Sequence, residues 1–249
     1  MSRPRLHKIL LTLFENKDTA TLAEILNHED YHLFQKNHGL DIPSDELIQV
    51  FTHTSFSHEF GLPDQEQLEF LGDAVLQMIL TEELYRRFPE EKEGRLSKLR
   101  SSLVNEKSLA SVATHLALGE LLLVGKGEFK KNLFTQEVVL ADTLEALLAR
   151  IYCSHGLERT RVLFLEWLMQ AQPDAFNWEK LNEFDAKSKL QELSLARYKK
   201  LPRYQAMAEG EKFRIEVLIN DQIVASGVFA SKKNGEKELA QEIIKKGIF

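Results

Sequence analysis

The stretch Glu66-Gln67-Leu68-Glu69-Phe70-Leu71-Gly72-Asp73-Ala74-Val75-Leu76 decides how the chain reads. On a helix turning about 100° per residue, Glu66, Glu69 and Asp73 fall within roughly 60° of one another. Three carboxylates therefore share one face. Leu68, Phe70, Leu71, Val75, Leu76 and Ile79 around them are apolar. A triplet of this kind standing alone is ordinarily a solvated helix face.

It does not stand alone. In Val138-Val139-Leu140-Ala141-Asp142-Thr143-Leu144-Glu145-Ala146-Leu147-Leu148, Asp142 and Glu145 also share a face. Residues 138–153 are apolar nearly all round, the mark of a buried helix. An unpaired buried carboxylate costs several kcal/mol, so this pair needs partners. Arg150 is the only basic residue inside the stretch. A divalent cation is the economical partner, and Mg²⁺ prefers oxygen ligands while keeping several waters. Two such carboxylate sets point to metal-assisted phosphoryl transfer or hydrolysis.

Outward from these helices, apolar residues recur at three and four from about residue 30 to 170, and no strand is expected there. Breaks fall at Pro43-Ser44, Gly61-Leu62-Pro63, Phe88-Pro89 and Gly125-Lys126-Gly127, and Gln172-Pro173-Asp174 ends the run. Residues 1–28 read as one or two helices, with Leu6, Ile9, Leu10, Leu13 and Phe14 at helical spacing. The period then changes. Residues 187–198 suit a helix anchored by Leu190, Leu193 and Leu195. Residues 203–208, 213–219 and 222–229 suit strands, with a turn at Asn220-Asp221, and 232–246 return to helix. The expected architecture is an all-α domain followed by a small α+β module of order α-β-β-β-α. The expected boundaries are an N-terminal extension 1–28, a first domain 29–172, a linker 173–182 and a second domain 183–249.

With 249 residues, 43% hydrophobic and 28% charged, the chain is neither disordered nor fibrous. No apolar run approaches the ~18–20 residues that span a bilayer. Arg3, Arg5 and Lys8 precede an apolar stretch at 9–14 that is too short for a secretory signal. Cys153 is the single cysteine, which excludes an intrachain disulfide or a cysteine-based zinc site and fits a reducing, cytosolic setting. The net charge of −6 is uneven: residues 183–249 hold 13 Lys+Arg against 10 Asp+Glu. Such asymmetry suggests two modules with different partners.

At these residues the chain resembles the ribonuclease III family. Its signature, an acidic residue leading into Leu-Glu-Phe-Leu-Gly-Asp, stands at 66–73, and its Ala-Asp-x-x-Glu-Ala element at 141–146. Glu93-Gly94-Arg95-Leu96-Ser97-Lys98-Leu99-Arg100 is similar to the Gly-x-Leu-Ser-x-Leu-Arg segment. Phe51-Thr52-His53-Thr54-Ser55-Phe56 is similar to the Leu-Thr-His-x-Ser element, and Gly125-Lys126-Gly127-Glu128 to a further loop. The tail resembles a double-stranded RNA-binding domain.

The resemblance implies a Mg²⁺-dependent endoribonuclease, with Mn²⁺ able to substitute. It implies cleavage of both strands of an RNA duplex to 5′-phosphate and 3′-hydroxyl ends with short 3′ overhangs, in rRNA and mRNA processing. It assigns Asp73 and Glu145 to the chemistry and Glu69, Asp142 and Glu145 to metal. Glu66 and Glu93 are auxiliary acids, and Phe70 packs across a homodimer interface. Gln191, Glu192, Lys232 and Lys233 are the RNA contacts of the tail; Arg95, Lys98, Arg100, Lys126, Lys130 and Lys131 can hold phosphates nearer the cut. Neither a membrane nor a nucleotide cofactor is implied. The tail departs from the family in its short turn Glu209-Gly210-Glu211-Lys212, which lacks a minor-groove histidine. Phe229 replaces a common glycine, and Gly235, Glu238 and Leu239 replace small alanines. The alternatives are a non-catalytic double-stranded RNA-binding relative and an unrelated helical metal hydrolase.

Overall fold

The computed structural model describes residues 5–177, 186–210 and 212–248. Part of the expected linker and the start of the second domain, 178–185, lie outside the described residues, as does Glu211 of the short turn. The chain divides into two compact units, Met1–Ala175 and Phe176–Phe249.

The first unit is helical: α1 (Arg5–Asn16), α2 (Thr19–Leu26), α3 (Glu29–His38), α4 (Ser44–Val50), α5 (Thr54–Phe60), α6 (Glu66–Arg87), α7 (Glu93–Leu103), α8 (Glu106–His115), α9 (Lys126–Lys130) and α10 (Glu137–Ala171). Local chemistry sets the ends. Asp18 accepts from Thr21 N at 2.7 Å and Asn105 from Ser108 N at 3.0 Å, each satisfying an orphan N–H of a first turn. Helix α3 stops at Gly39, whose φ of 59° is left-handed.

Helix α10 packs along α6 and α8. The seam is filled by Leu76, Ile79 and Leu80 of α6, Leu109 and Val112 of α8, and Leu144, Leu147, Leu148 and Ile151 of α10, all essentially inaccessible. Each such side chain contributes about 1.5–3 kcal/mol. The two N-terminal helices belong to this unit: Leu6, Leu10, Leu13 and Phe14 are buried, and the Phe14 ring meets Phe60 and Phe129. Helix α10 is broken at Gly156, whose φ of 76° and ψ of 171° no other residue adopts readily. The expected all-round burial of residues 138–153 fails at the two edges of that stretch: Val138 at the helix start, and Tyr152 and Cys153 at mid-helix just before the Gly156 break, are exposed.

In the second unit, α11 (Ala186–Tyr198) and α12 (Lys232–Lys246) flank an antiparallel sheet of β1 (Arg203–Glu209), β2 (Lys212–Ile219) and β3 (Gln222–Phe229) in the order β1-β2-β3. Asn220 and Asp221 both have positive φ, as the two-residue turn between twisted strands requires. Ile215, Val217 and Ile219 alternate inward to meet Leu190, Leu239 and Ile243. One expected anchor fails: Leu195 is exposed, and Ser194 takes the buried position, donating its hydroxyl to Lys200 O at 2.6 Å. The hydroxyl satisfies the carbonyl of Lys200 in the connection after the helix, which a methyl group could not do. Phe229 and Gly235 are complementary: a Cβ at Gly235 would stand 2.4 Å from the Phe229 ring, so the lost alanine makes room for the added aromatic.

Candidate active site

The two carboxylate helices cross where α6 carries Gly72. A Cβ there would lie 1.9 Å from the Glu145 carbonyl oxygen and 2.9 Å from its Cα. Only glycine lets the backbones approach this closely. The approach sets one turn of α6, bearing Glu69 and Asp73, against one turn of α10, bearing Asp142 and Glu145.

The electrostatics record the proximity. Burial pushes the Glu145 carboxyl up to about 8, and Asp73, Asp142 and Glu69 add to the rise. Burial also raises Glu69, with Asp142 and Glu66 reinforcing it. Asp142 is raised by burial and then by Glu106. The one basic residue of the 138–153 stretch is engaged elsewhere: Arg150 donates to Glu46 at 2.7 Å and to Gln49 at 3.0 Å. Asp73 accepts from Gln77 Nε2 at 3.3 Å. Glu69, Asp142 and Glu145 form no ion pair among the described residues.

Among the described residues no group of three or more His, Cys, Asp or Glu is placed so that it could hold a metal ion as it stands. The donor set still suits a hard divalent cation. It is all oxygen, half-buried and, among the described residues, without an ion-pair partner, and Mg²⁺ needs only one or two carboxylates beside its waters.

A family model described as ribonuclease-III-like matches residues 44–172. A ribonuclease 3 of Mycobacterium leprae is 39% identical over 216 residues, covering 81% of this chain and 87% of its own. That of Natranaerobius thermophilus is 38% identical over 209 residues, covering 81% and 90%. The nuclease domain of the Campylobacter jejuni ribonuclease III superposes with a TM-score of 0.53 at 35% identity, covering 56% of this chain and 96% of that domain. The chain belongs to the ribonuclease III family. It is an endoribonuclease, and the non-catalytic relative is not favoured. The α-β-β-β-α second unit is the double-stranded RNA-binding domain fold.

For a ribonuclease III, several residues lie away from the cluster. Glu93 is exposed in the first turn of α7, where it accepts from Ser97 Oγ at 2.8 Å. It is not among the groups that act on Glu145, Asp142 or Glu69. Glu66 acts on the cluster through its charge on Glu69. Glu106, missed in the sequence, opens α8 beside Asp142. No local spacing reveals it, since it reaches the site only through the packing of α8 on α10.

Along the outer face of α6, Phe70, Ala74, Met78 and Tyr85 are exposed, with Phe70 84% and Tyr85 71% accessible. At the Tyr85 end a cavity of about 450 Å³ is lined by Thr81, Leu84, Tyr85, Phe88, Leu96 and Arg100, among others. In the second unit, Lys232 and Lys233 open α12, and Lys232 Nζ sits 5.0 Å from the centre of the Phe213 ring. Lys187 pairs with Glu236, joining the first turns of α11 and α12 and placing Gln191 and Glu192 one turn further along α11.

No helix among the described residues is long and apolar enough to cross a membrane.

Proposed function

We propose that this ribonuclease III works as a two-fold homodimer that uses Mg²⁺ to cut both strands of an RNA duplex, leaving 5′-phosphate and 3′-hydroxyl ends with short 3′ overhangs. The single supporting observation is the carboxylate cluster that the Gly72–Glu145 crossing assembles. Glu69, Asp142 and Glu145 would hold the ion, with Glu66 and Glu106 outside them. Bound there, Mg²⁺ supplies a water of lowered pKa and neutralises charge on the scissile phosphate. Asp73 faces Glu145 from α6 and can take a proton from the attacking water. Half-burial keeps bulk water from competing at the carboxylates, where their mutual repulsion makes the cation welcome.

The α6 stripe supports the dimer. Residues 70 and 85 lie about 22 Å apart along the helix. A two-fold axis through its middle brings Phe70 of one subunit to the Tyr85 end of the other, where the cavity can receive an aromatic ring. Two carboxylate sets then serve two strands. The second unit reads duplex shape through Lys232, Lys233, Gln191 and Glu192, as its fold class does along the minor groove and phosphates. The substrates fit cytoplasmic precursors of rRNA and mRNA.

The test is a cleavage assay on duplex RNA with Mg²⁺, with Mn²⁺ and with EDTA. Cleavage with either ion and none with EDTA is expected. Binding without cleavage in both metals would overturn the enzymatic reading.

A further inference from the structure

Two sequence elements that the chemistry above leaves unused, 51–56 and 125–128, are tied together at and just before the second. Leu123 N donates to Phe51 O at 2.8 Å, and His53 N donates to Leu123 O at 3.0 Å. One parallel rung therefore forms between Thr52 and Leu123. Past it, Gly125 N donates to Ser55 Oγ at 2.9 Å. The Ser55 hydroxyl lies 2.8 Å from His53 Nδ1, which also accepts from Ser55 N at 3.1 Å. Glu59 Oε1 accepts from Lys126 N at 2.9 Å. A Cβ at Gly125 would stand 2.6 Å from that Glu59 side-chain oxygen and 2.9 Å from the Ser55 main-chain oxygen, so only glycine fits this joint.

The same short segment also holds the catalytic helix. Thr52 O accepts from Gln65 N at 3.1 Å, and Gln65 is the residue on which α6 starts. Gln65 Oε1 in turn accepts from Thr143 Oγ1 of α10 at 3.4 Å. Residues 51–55 therefore stand between the turn 125–131 and the helix that carries Glu66 and Glu69. That turn is basic. Lys126 Nζ is fixed on Phe14 O at 3.1 Å, Lys131 lies 3.8 Å from Glu128, and Lys130 is exposed with no ion pair among the described residues.

We propose that Ser55, oriented by His53, is a positioning residue that holds the basic turn at a fixed spacing from the carboxylates, so that Lys130 grips phosphate next to the bond being cut. This rests on the duplex-nuclease reading. The physical reason is preorganisation. A turn already pinned by hydrogen bonds to Ser55, Glu59 and Phe14 loses little freedom when RNA arrives. With Ser55 reduced to alanine, the Gly125 N–H has no side-chain acceptor, and the turn must be ordered by the substrate instead.

The experiment uses the full-length protein with Ser55→Ala, Ser55→Thr, Glu59→Ala and Lys130→Ala. Steady-state cleavage of a duplex with Mg²⁺ gives kcat and KM, and duplex binding without Mg²⁺ gives the salt dependence. Ser55→Ala is expected to raise KM about tenfold with kcat within about twofold. It is expected to reduce the log–log salt slope by about one, as Lys130→Ala does. Ser55→Ala combined with Lys130→Ala is expected to add little to either single variant, since both remove the same contact. Ser55→Thr keeps the hydroxyl and is expected to restore both quantities. Should Ser55→Ala fail to fold, Glu59→Ala frees the same turn at Lys126 N and carries the same expectation. A fall in kcat or in thermal stability with KM and slope unchanged would assign Ser55 a purely structural role and overturn the proposal. So would failure of Ser55→Thr to rescue. Wild-type protein that binds but does not cut duplex RNA would sink the nuclease reading instead, and the salt slopes would still decide the role of Ser55.

Discussion

Gly72 of α6 rests on the main-chain carbonyl of Glu145, with no room for even a methyl group between the two helices. The contact joins the two halves of the site at the residues that flank the chemistry. Gly72→Ala must therefore push α6 and α10 apart. A loss of about 3 kcal/mol or more is expected from the forced backbone shift. Misplacing carboxylates by about 1 Å is expected to lower kcat about a hundredfold even where the variant stays folded. Thermal melts and single-turnover cleavage measure the two effects separately.

Glu145→Gln is expected to abolish cleavage while leaving duplex binding near wild type. An amide cannot supply an anionic ligand, and the RNA contacts lie elsewhere. Glu66→Gln is expected to do less damage, because Glu66 acts on the cluster through its charge on Glu69. Near wild-type turnover of Glu145→Gln at ordinary Mg²⁺ would refute the metal assignment.

The raised Glu145 carboxyl also makes stability depend on pH. Its ordinary value is 4.5 and its folded value about 8, so the folded state keeps a proton that the unfolded state releases. The contribution is fully present below the ordinary value and is lost as pH rises through about 8. In EDTA, the wild-type melting temperature is expected to fall over this window relative to Glu145→Gln. His38 and His53, whose folded values are lowered by burial, titrate with the opposite sign in both proteins and cancel in the comparison. Added Mg²⁺ is expected to remove the difference by replacing the proton. Parallel pH profiles of the two proteins in EDTA would show that Glu145 is not the group responsible.

Phe70→Asp is expected to give folded monomers in sedimentation. The side chain is 84% accessible in the single subunit, so the substitution costs little within it, while a charge buried at an interface has no partner. Tyr85→Asp is expected to do the same from the other end of the stripe. Fully active monomers would contradict the pairing of one site with each strand.

Lys232→Glu combined with Lys233→Glu is expected to flatten the salt dependence of duplex binding by about one to two units and to weaken all duplexes alike. The isolated second unit is expected to bind weakly. The dimer is expected to bind much better, because two such units engage one duplex at high effective concentration. An unchanged slope would move the phosphate contacts to the helical unit's lysines and arginines.

Helix and strand positions were legible because each depends on neighbours within a few residues. The alternation of Ile215, Val217 and Ile219 and the turn at Asn220-Asp221 carried the sheet, and the Gly and Pro breaks carried the helix ends. Burial was read less well. Leu195 looked like an anchor by spacing, yet Ser194 is the buried residue, because it answers a carbonyl that only the folded chain brings near. Val138 and Tyr152 looked like core, but whether an apolar residue is covered depends on what packs on it.

The carboxylates divide the same way. That Glu66, Glu69 and Asp73 share one face, and Asp142 and Glu145 another, follows from helical periodicity alone. That the two faces meet depends on Gly72 closing on Glu145. That Arg150 is engaged by Glu46, and that Glu106 arrives beside Asp142, depends on α4 and α8 packing against α10. Local spacing sets which way a side chain leaves its own helix. Which charges it then faces is a matter of long-range contact, and that contact turns scattered acids into a site with a raised carboxyl and, among the described residues, no ion-pair partner for it.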